Sequence, residues 1–150
     1  MDKKTLTELD FYRIRDEISG FCHSEESSFV MQRLEPFTNE DEIKKRKALG
    51  AEWSRYLETT RPDALLSWPP VYNIVKSTKV LGSSLELEQI YALGQFCKSV
   101  EKVKNAVFSG ENELNLKNLA ELSRTIPSLD DASAEIFKII APDGSLRDLP

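Results

Sequence analysis

Residues 83–108 read SSLELEQIYALGQFCKSVEKVKNAVF, and this stretch decides the fold class. Leu87, Ile90, Tyr91, Leu93, Cys97, Val100, Val103 and Val107 recur mainly at steps of three and four, which places a wide apolar stripe on one helix face. Ser83 and Glu86 have the spacing of a capping box, and Gly110 is a natural stop. The pattern predicts one long helix over about residues 84–108, roughly 35–40 Å at 1.5 Å per residue. Leu87, Ile90, Cys97 and Val100 are its expected packing anchors.

The flanking segments carry the same periodicity. Upstream, TLTELDFYRIRDEISGFC (5–22) sets Phe11, Ile14, Ile18 and Phe21 on one face, behind a Thr5–Glu8 capping box. A shorter helix is expected from Ser24, stopping before Pro36. TNEDEIKKRKALGAEWSRYLETT (38–60) predicts a long helix capped by Thr38, with Glu40, Asp41 and Glu42 at the positive end of its dipole. Ile43, Gly50, Trp53 and Leu57 form its expected stripe, Gly50 permits a close neighbour, and Pro62 ends it. Pro69-Pro70 marks a connector before a short helix at 71–78.

Downstream, LKNLAELSRTI (116–126) puts Leu116, Leu119, Leu122 and Ile126 on one face. Ser128 and Asp131 open a last helix, with Leu129, Ala132, Ile136, Ile139 and Ile140 inward and Pro142 closing it. Asp143-Gly144 is a tight-turn signal and predicts a short turn or hairpin near 143–148. The expected architecture is therefore all-α: a multi-helix bundle with one long helix.

Composition narrows the function classes. The chain has 150 residues, 40% of them hydrophobic and 30% charged, enough for one domain with a real core. No apolar run approaches the roughly 20 residues that cross a bilayer, and MDKKTLTELD is not a signal peptide. Two cysteines, Cys22 and Cys97, make no disulfide framework, which fits a reduced cytoplasmic setting with no membrane partner. Twenty Lys and Arg against 25 Asp and Glu leave a net charge of −5, the wrong balance for a domain gripping nucleic acid alone.

No reaction centre is legible. The one histidine, His23, is adjacent to Cys22 and points about 100° away from it on a helix, so no nucleophilic pair forms. No zinc spacing, phosphate loop or triad is present, and no catalytic, cofactor or metal residue is assigned. The acidic clusters Glu25-Glu26, Glu40-Asp41-Glu42 and Asp130-Asp131 fall in first helical turns, where capping explains them. The candidate nucleic-acid contacts are Lys44, Lys45, Arg46 and Lys47, with Lys98 and Lys102 on the long helix. Four consecutive residues encircle a helix, so the first group reads chiefly as a solvated face; Glu101 interrupts Lys98, Lys102 and Lys104. Core roles are expected for Trp53, Tyr56, Trp68 and Tyr72.

Taken in order, these motifs resemble the N-terminal part of the bacterial MutS family, subfamily II. The likeness runs through Thr5-Leu6, Leu9-Asp10-Phe11, Ile14, Ser24, Leu34-Glu35-Pro36 and Glu42-Ile43. It continues at Leu81, Ser83, Glu86-Leu87, and the turn with Ile139 or Ile140, Asp143-Gly144, Leu146 and Asp148. Gly82 and Leu149-Pro150 depart from the pattern. The resemblance implies the helical core or lever of a larger ATPase that suppresses recombination on branched DNA and senses collided ribosomes. It further implies ATP and Mg²⁺ in a separate ATPase domain, a clamp, a frequent Smr nuclease domain and homodimerisation through absent regions. On this expectation the segment itself is non-catalytic, its partner is the rest of its own chain, and Pro150 is not the native end. The rival expectation is a free-standing helical adaptor that binds a partner protein.

Overall fold

The computed structural model describes residues 2–59 and 67–147; the helix stop expected at Pro62 and the residues 148–150 lie outside them. The chain is all-helical, with α1 Lys3–Glu8, α2 Phe11–Ser19, α3 Glu25–Gln32, α4 Glu40–Thr59, α5 Tyr72–Ser77, α6 Leu87–Gly110, α7 Lys117–Arg124 and α8 Asp130–Ile139. α8 lies along α6, α7 bridges α6 and α4, and α1, α2 and α3 pack on one another. Leu116, Ala120, Val107 and Ile140 are the most deeply buried side chains of the main core.

Several boundaries differ from those the sequence predicts. Asp2 Oδ1 accepts from the Thr5 N–H at 2.8 Å, so α1 starts early and Thr5 lies inside it rather than capping it. Asp10, in the left-handed region at φ 56°, then breaks the chain into α1 and α2. Ile14 and Ile18 are consequently exposed, and Phe21, past the end of α2, is 80% exposed. Ser24 does cap α3. In α4 the cap is Asn39, whose Oδ1 accepts from the Glu42 N–H at 3.0 Å, and not Thr38.

The long helix has the expected length but enters three residues later. Glu86 and Gln89 form its capping box, while the Ser83 hydroxyl donates to the Ser77 carbonyl at 2.9 Å. Its 24 residues make a rod of about 36 Å. Close approach occurs at Gly94, not Gly50. A Cβ on Gly94 would come within 2.8 Å of Ile136 and 2.9 Å of the Phe137 ring, whereas one on Gly50 would meet nothing within 4 Å. Leu122, Ile126, Ala132 and Ile139, expected inside, are exposed, because α7 and α8 turn Ala120, Ser123 and Ser133 inward.

The terminal turn forms as expected. Ile140 and Leu146 make an antiparallel bridge, with Gly144 at φ 86° supplying the reversal. Asp143 Oδ1 accepts from the Ser145 N–H and hydroxyl, and the Tyr91 hydroxyl pins the turn to α6 by donating to the Pro142 carbonyl at 2.6 Å.

Three helices have an apolar residue at the cap position, although the Ser128 hydroxyl accepts from the Asp130 N–H at 3.3 Å at the start of α8. α5, α7 and α8 have Val71, Leu116 and Leu129 at the cap position, and none offers a side-chain hydrogen bond. A glutamate from another helix does this for each. Glu26 Oε1, on α3, accepts from Val71 N at 2.7 Å and Tyr72 N at 3.1 Å. Glu52, on α4, accepts from Asn118 N at 3.1 Å, Asn118 Nδ2 at 2.7 Å and Leu119 N at 2.8 Å. Glu101, on α6, accepts from Leu129 N at 2.7 Å and pairs with Lys104 at 3.3 Å, and Lys104 also donates to the Pro127 carbonyl.

Charge and helix dipole act in the same direction at each junction. Burial pushes the Glu26 carboxyl up, but the N–H groups of Val71, Glu26 itself and Tyr72 outweigh it and hold the group below its ordinary 4.5. Glu26 Oε2 and the Trp68 indole N–H are buried without a fully formed hydrogen bond, and the indole still favours the ionised acid. For Glu52, burial is likewise outweighed by the Leu119 N–H and the Asn118 side chain and N–H. For Glu101 the Leu129 N–H dominates, burial opposes it, and Lys104 adds to the lowering.

Two outcomes are expected. Glu52→Ala orphans three donors around a residue only 5% exposed, and should cost about 2–3 kcal/mol in chemical denaturation. An unchanged midpoint would show that the α4–α7 junction contributes nothing. Because all three folded-state values lie below the ordinary 4.5, their stabilisation is complete above that value and is lost as the pH falls through the lowered ones. Denaturation midpoints at neutral pH and about pH 3 should therefore differ, and Glu52→Gln should reduce the difference.

Candidate functional site

The basic run lies on the first half of α4, with Lys44, Lys45, Arg46 and Lys47 all exposed. Its charge is partly spent within the helix. Lys44 pairs with Glu40 at 2.7 Å and Arg46 with Glu42 at 3.1 Å, each one turn back. The Arg46 guanidinium also lies 4.1 Å from the Phe37 ring centroid. Among the described residues, Lys45 and Lys47 are the members of the run with no carboxylate in ion-pair range.

Lys98 and Lys102 are brought together elsewhere. They stand one turn apart on α6 and line an open groove against α8 with Asn105, Asp130, Ser133 and Phe137. Lys98 Nζ sits 3.8 Å from the Phe137 ring centroid, and Tyr91 meets that ring edge-on at 6.1 Å. Lys104 does not join them: it turns inward to Glu101 and Pro127. The run on α4 does not line this groove, so the six candidate contacts form two separate sets. Asp130 and Glu101 also line the groove and offset the lysines, and Glu101 is engaged by the Leu129 N–H and Lys104.

Cys97 is buried, and desolvation raises its thiol, the opposite of activation. Cys22 is half-buried beside the exposed His23. Among the described residues, no group of three or more His, Cys, Asp or Glu is placed to hold a metal ion, and no helix is long and apolar enough to cross a membrane. Tyr56 is buried against Trp53, and Trp68 packs edge-on against Phe96, which matches the core roles expected for them. Tyr72 does not: it is 62% exposed and stacks on Phe29.

Sequence reasoning overlooked the three capping glutamates, and read Glu101 only as an interruption among lysines. Their signal was indirect. It lay in the apolar residues at the starts of α5, α7 and α8, which leave backbone donors that some distant acceptor must satisfy.

A second surface is almost purely apolar. Leu6, Leu9, Phe11, Ile14, Ile18, Met31 and Leu34 line a groove between α1, α2 and α3. Leu9, Ile14 and Ile18 are exposed within it.

No family model and no solved structure matches the chain. Six curated proteins, all named Endonuclease MutS2, are similar to it. That of Finegoldia magna is 28% identical over 156 residues, an alignment covering 99% of this chain and 19% of the relative. That of Aquifex aeolicus is 21% identical over 148 residues, with the same coverage of each. That of Agathobacter rectalis is 29% identical over 167 residues, covering 93% of this chain and 20% of the relative. The chain is thus similar to MutS2 proteins along nearly its whole length, and it spans about a fifth of theirs.

Proposed function

We propose that this chain is the N-terminal helical core or lever segment of a MutS2-type protein, a scaffold that itself performs no chemistry. The observation that carries the reading is the alignment of 99% of the chain with 19% of a protein named Endonuclease MutS2. The geometry fits a rigid transmitter. α6 is a rod of 24 residues fastened near one end through Tyr91 to the terminal turn and near its middle through Glu101 to α8. A rod held in this way moves as a body, which is what is required between an ATPase and a nucleic-acid clamp.

In this reading ATP and Mg²⁺ belong to an ATPase region elsewhere in a longer polypeptide, and homodimerisation also uses regions outside these residues. The assembled cytoplasmic protein acts on DNA in suppressing recombination, with collided ribosomes as a second target. The α1–α3 groove is then a seat for the rest of the same chain. The free-standing adaptor keeps one observation in its favour, since the same exposed groove would serve a separate partner protein.

The native reading frame distinguishes these. A frame that continues past codon 150 to a G-x-x-x-x-G-K-[ST] loop, whose full product hydrolyses ATP, is the expected result. A frame ending at Pro150 would remove the transmitter role and leave the adaptor.

A further inference from the structure

α3 and α5 build an exposed stack that the transmitter reading does not use. Phe29 and Tyr72 lie nearly parallel, with ring centroids 6.4 Å apart and 26° between planes. The Arg33 guanidinium carbon is 3.4 Å from the Phe29 ring centroid. Two ties fix the order. Arg33 Nη1 donates to the Phe29 carbonyl one turn back at 3.3 Å, and Glu26 holds the Tyr72 N–H from the same helix. Yet Phe29 is 51% and Tyr72 62% exposed. Burial is therefore not what orders these rings.

The charge of Arg33 is also unspent. Arg13, Arg15, Arg46 and Arg124 each have a carboxylate partner. Among the described residues Arg33 has none within ion-pair distance. Glu26, on the same helix, is committed to Val71 and Tyr72. Arg33 additionally opens onto a polar recess lined also by Arg15, Asp16, Ser19 and Gln32, in which Arg15 is engaged by Asp16 at 3.3 Å and by Glu35 at 4.0 Å.

An ordered, exposed aromatic pair beside an unpaired guanidinium matches one ligand chemistry closely. Unpaired bases stack on aromatic rings whatever their identity, and the adjoining phosphate takes a guanidinium edge. The geometry points to a stacking platform for single-stranded nucleic acid formed by Tyr72, Phe29 and Arg33, with the phosphate at the Arg15–Arg33 recess. Duplex DNA, whose bases are already stacked, is not its ligand. The net charge of −5 opposes any polyanion, so stacking supplies most of the affinity and phosphate contact little. The site is separate from the run at Lys44–Lys47 and from the Lys98–Lys102 groove, neither of which contributes a residue to the recess.

The test is fluorescence anisotropy of a labelled oligothymidine of about 12 nucleotides against the 150-residue chain at about 50 mM salt. Tyr72→Ala and Phe29→Ala should each weaken binding about tenfold, while Tyr72→Phe keeps it. Helical circular dichroism on each variant separates lost binding from lost folding. Replacing Lys44, Lys45, Arg46 and Lys47 together by Gln should leave affinity within about twofold. One free guanidinium predicts a salt slope of about −0.7, against about −2.8 for a four-charge contact, and Arg33→Gln should flatten it further. Absence of binding, a folded Tyr72→Ala that binds as the parent does, equal affinity for duplex, or the steep slope would each overturn the assignment. None of these results bears on the reading frame, and a frame ending at Pro150 would leave the binding result intact.

Discussion

A carboxylate that leaves its own helix to close the start of another is the interaction on which this structure depends. Glu26, Glu52 and Glu101 each sit on one helix and accept backbone N–H groups at the start of a different one. A local cap made by Ser or Asp stabilises a helix but says nothing about where it lies. A cap supplied from a distance does both, because the donors are satisfied only when the two helices are correctly placed. The α3–α5, α4–α7 and α6–α8 junctions are therefore polar and directional in a molecule whose fully buried apolar side chains are few. Lys104 completes one of them: it balances Glu101 and satisfies the Pro127 carbonyl just before α8.

The all-α class, the long helix and the terminal turn were legible because each has a local cause. Three- and four-residue spacing along 87–107 and a glycine at positive φ need no tertiary information. Caps were less legible. Ser83, Thr5 and Thr38 all had plausible neighbours, but Glu86, Asp2 and Asn39 competed for the same starts and won. Inward faces were misread where small residues do the packing: Ala120, Ser123 and Ser133 are buried while Leu122 and Ile139 are not, and no hydrophobicity pattern reports that. Of the candidate site, periodicity placed Lys98 and Lys102 on one face, yet nothing in the sequence announced that Phe137 would lie beneath Lys98.

The electrostatic picture follows from pairing more than from totals. Lys44, Arg46 and Lys104 look basic in sequence, and each is answered by a carboxylate three or four residues away. Under the proposed function, neighbouring parts of a longer chain would cover the exposed apolar groove of α1–α3.

The way α1–α3 is attached has a kinetic meaning. Its helices pack on one another, and its links to the rest include Glu26 at the start of α5 and Phe29 on Tyr72. A unit tied by a few polar bonds at one edge opens without the whole fold opening. Amides of α2 and α3 are therefore expected to exchange through a lower-energy opening than those of α6. The chain is thus a two-tier material, with a stiff spar and a flap held by one carboxylate and one ring contact.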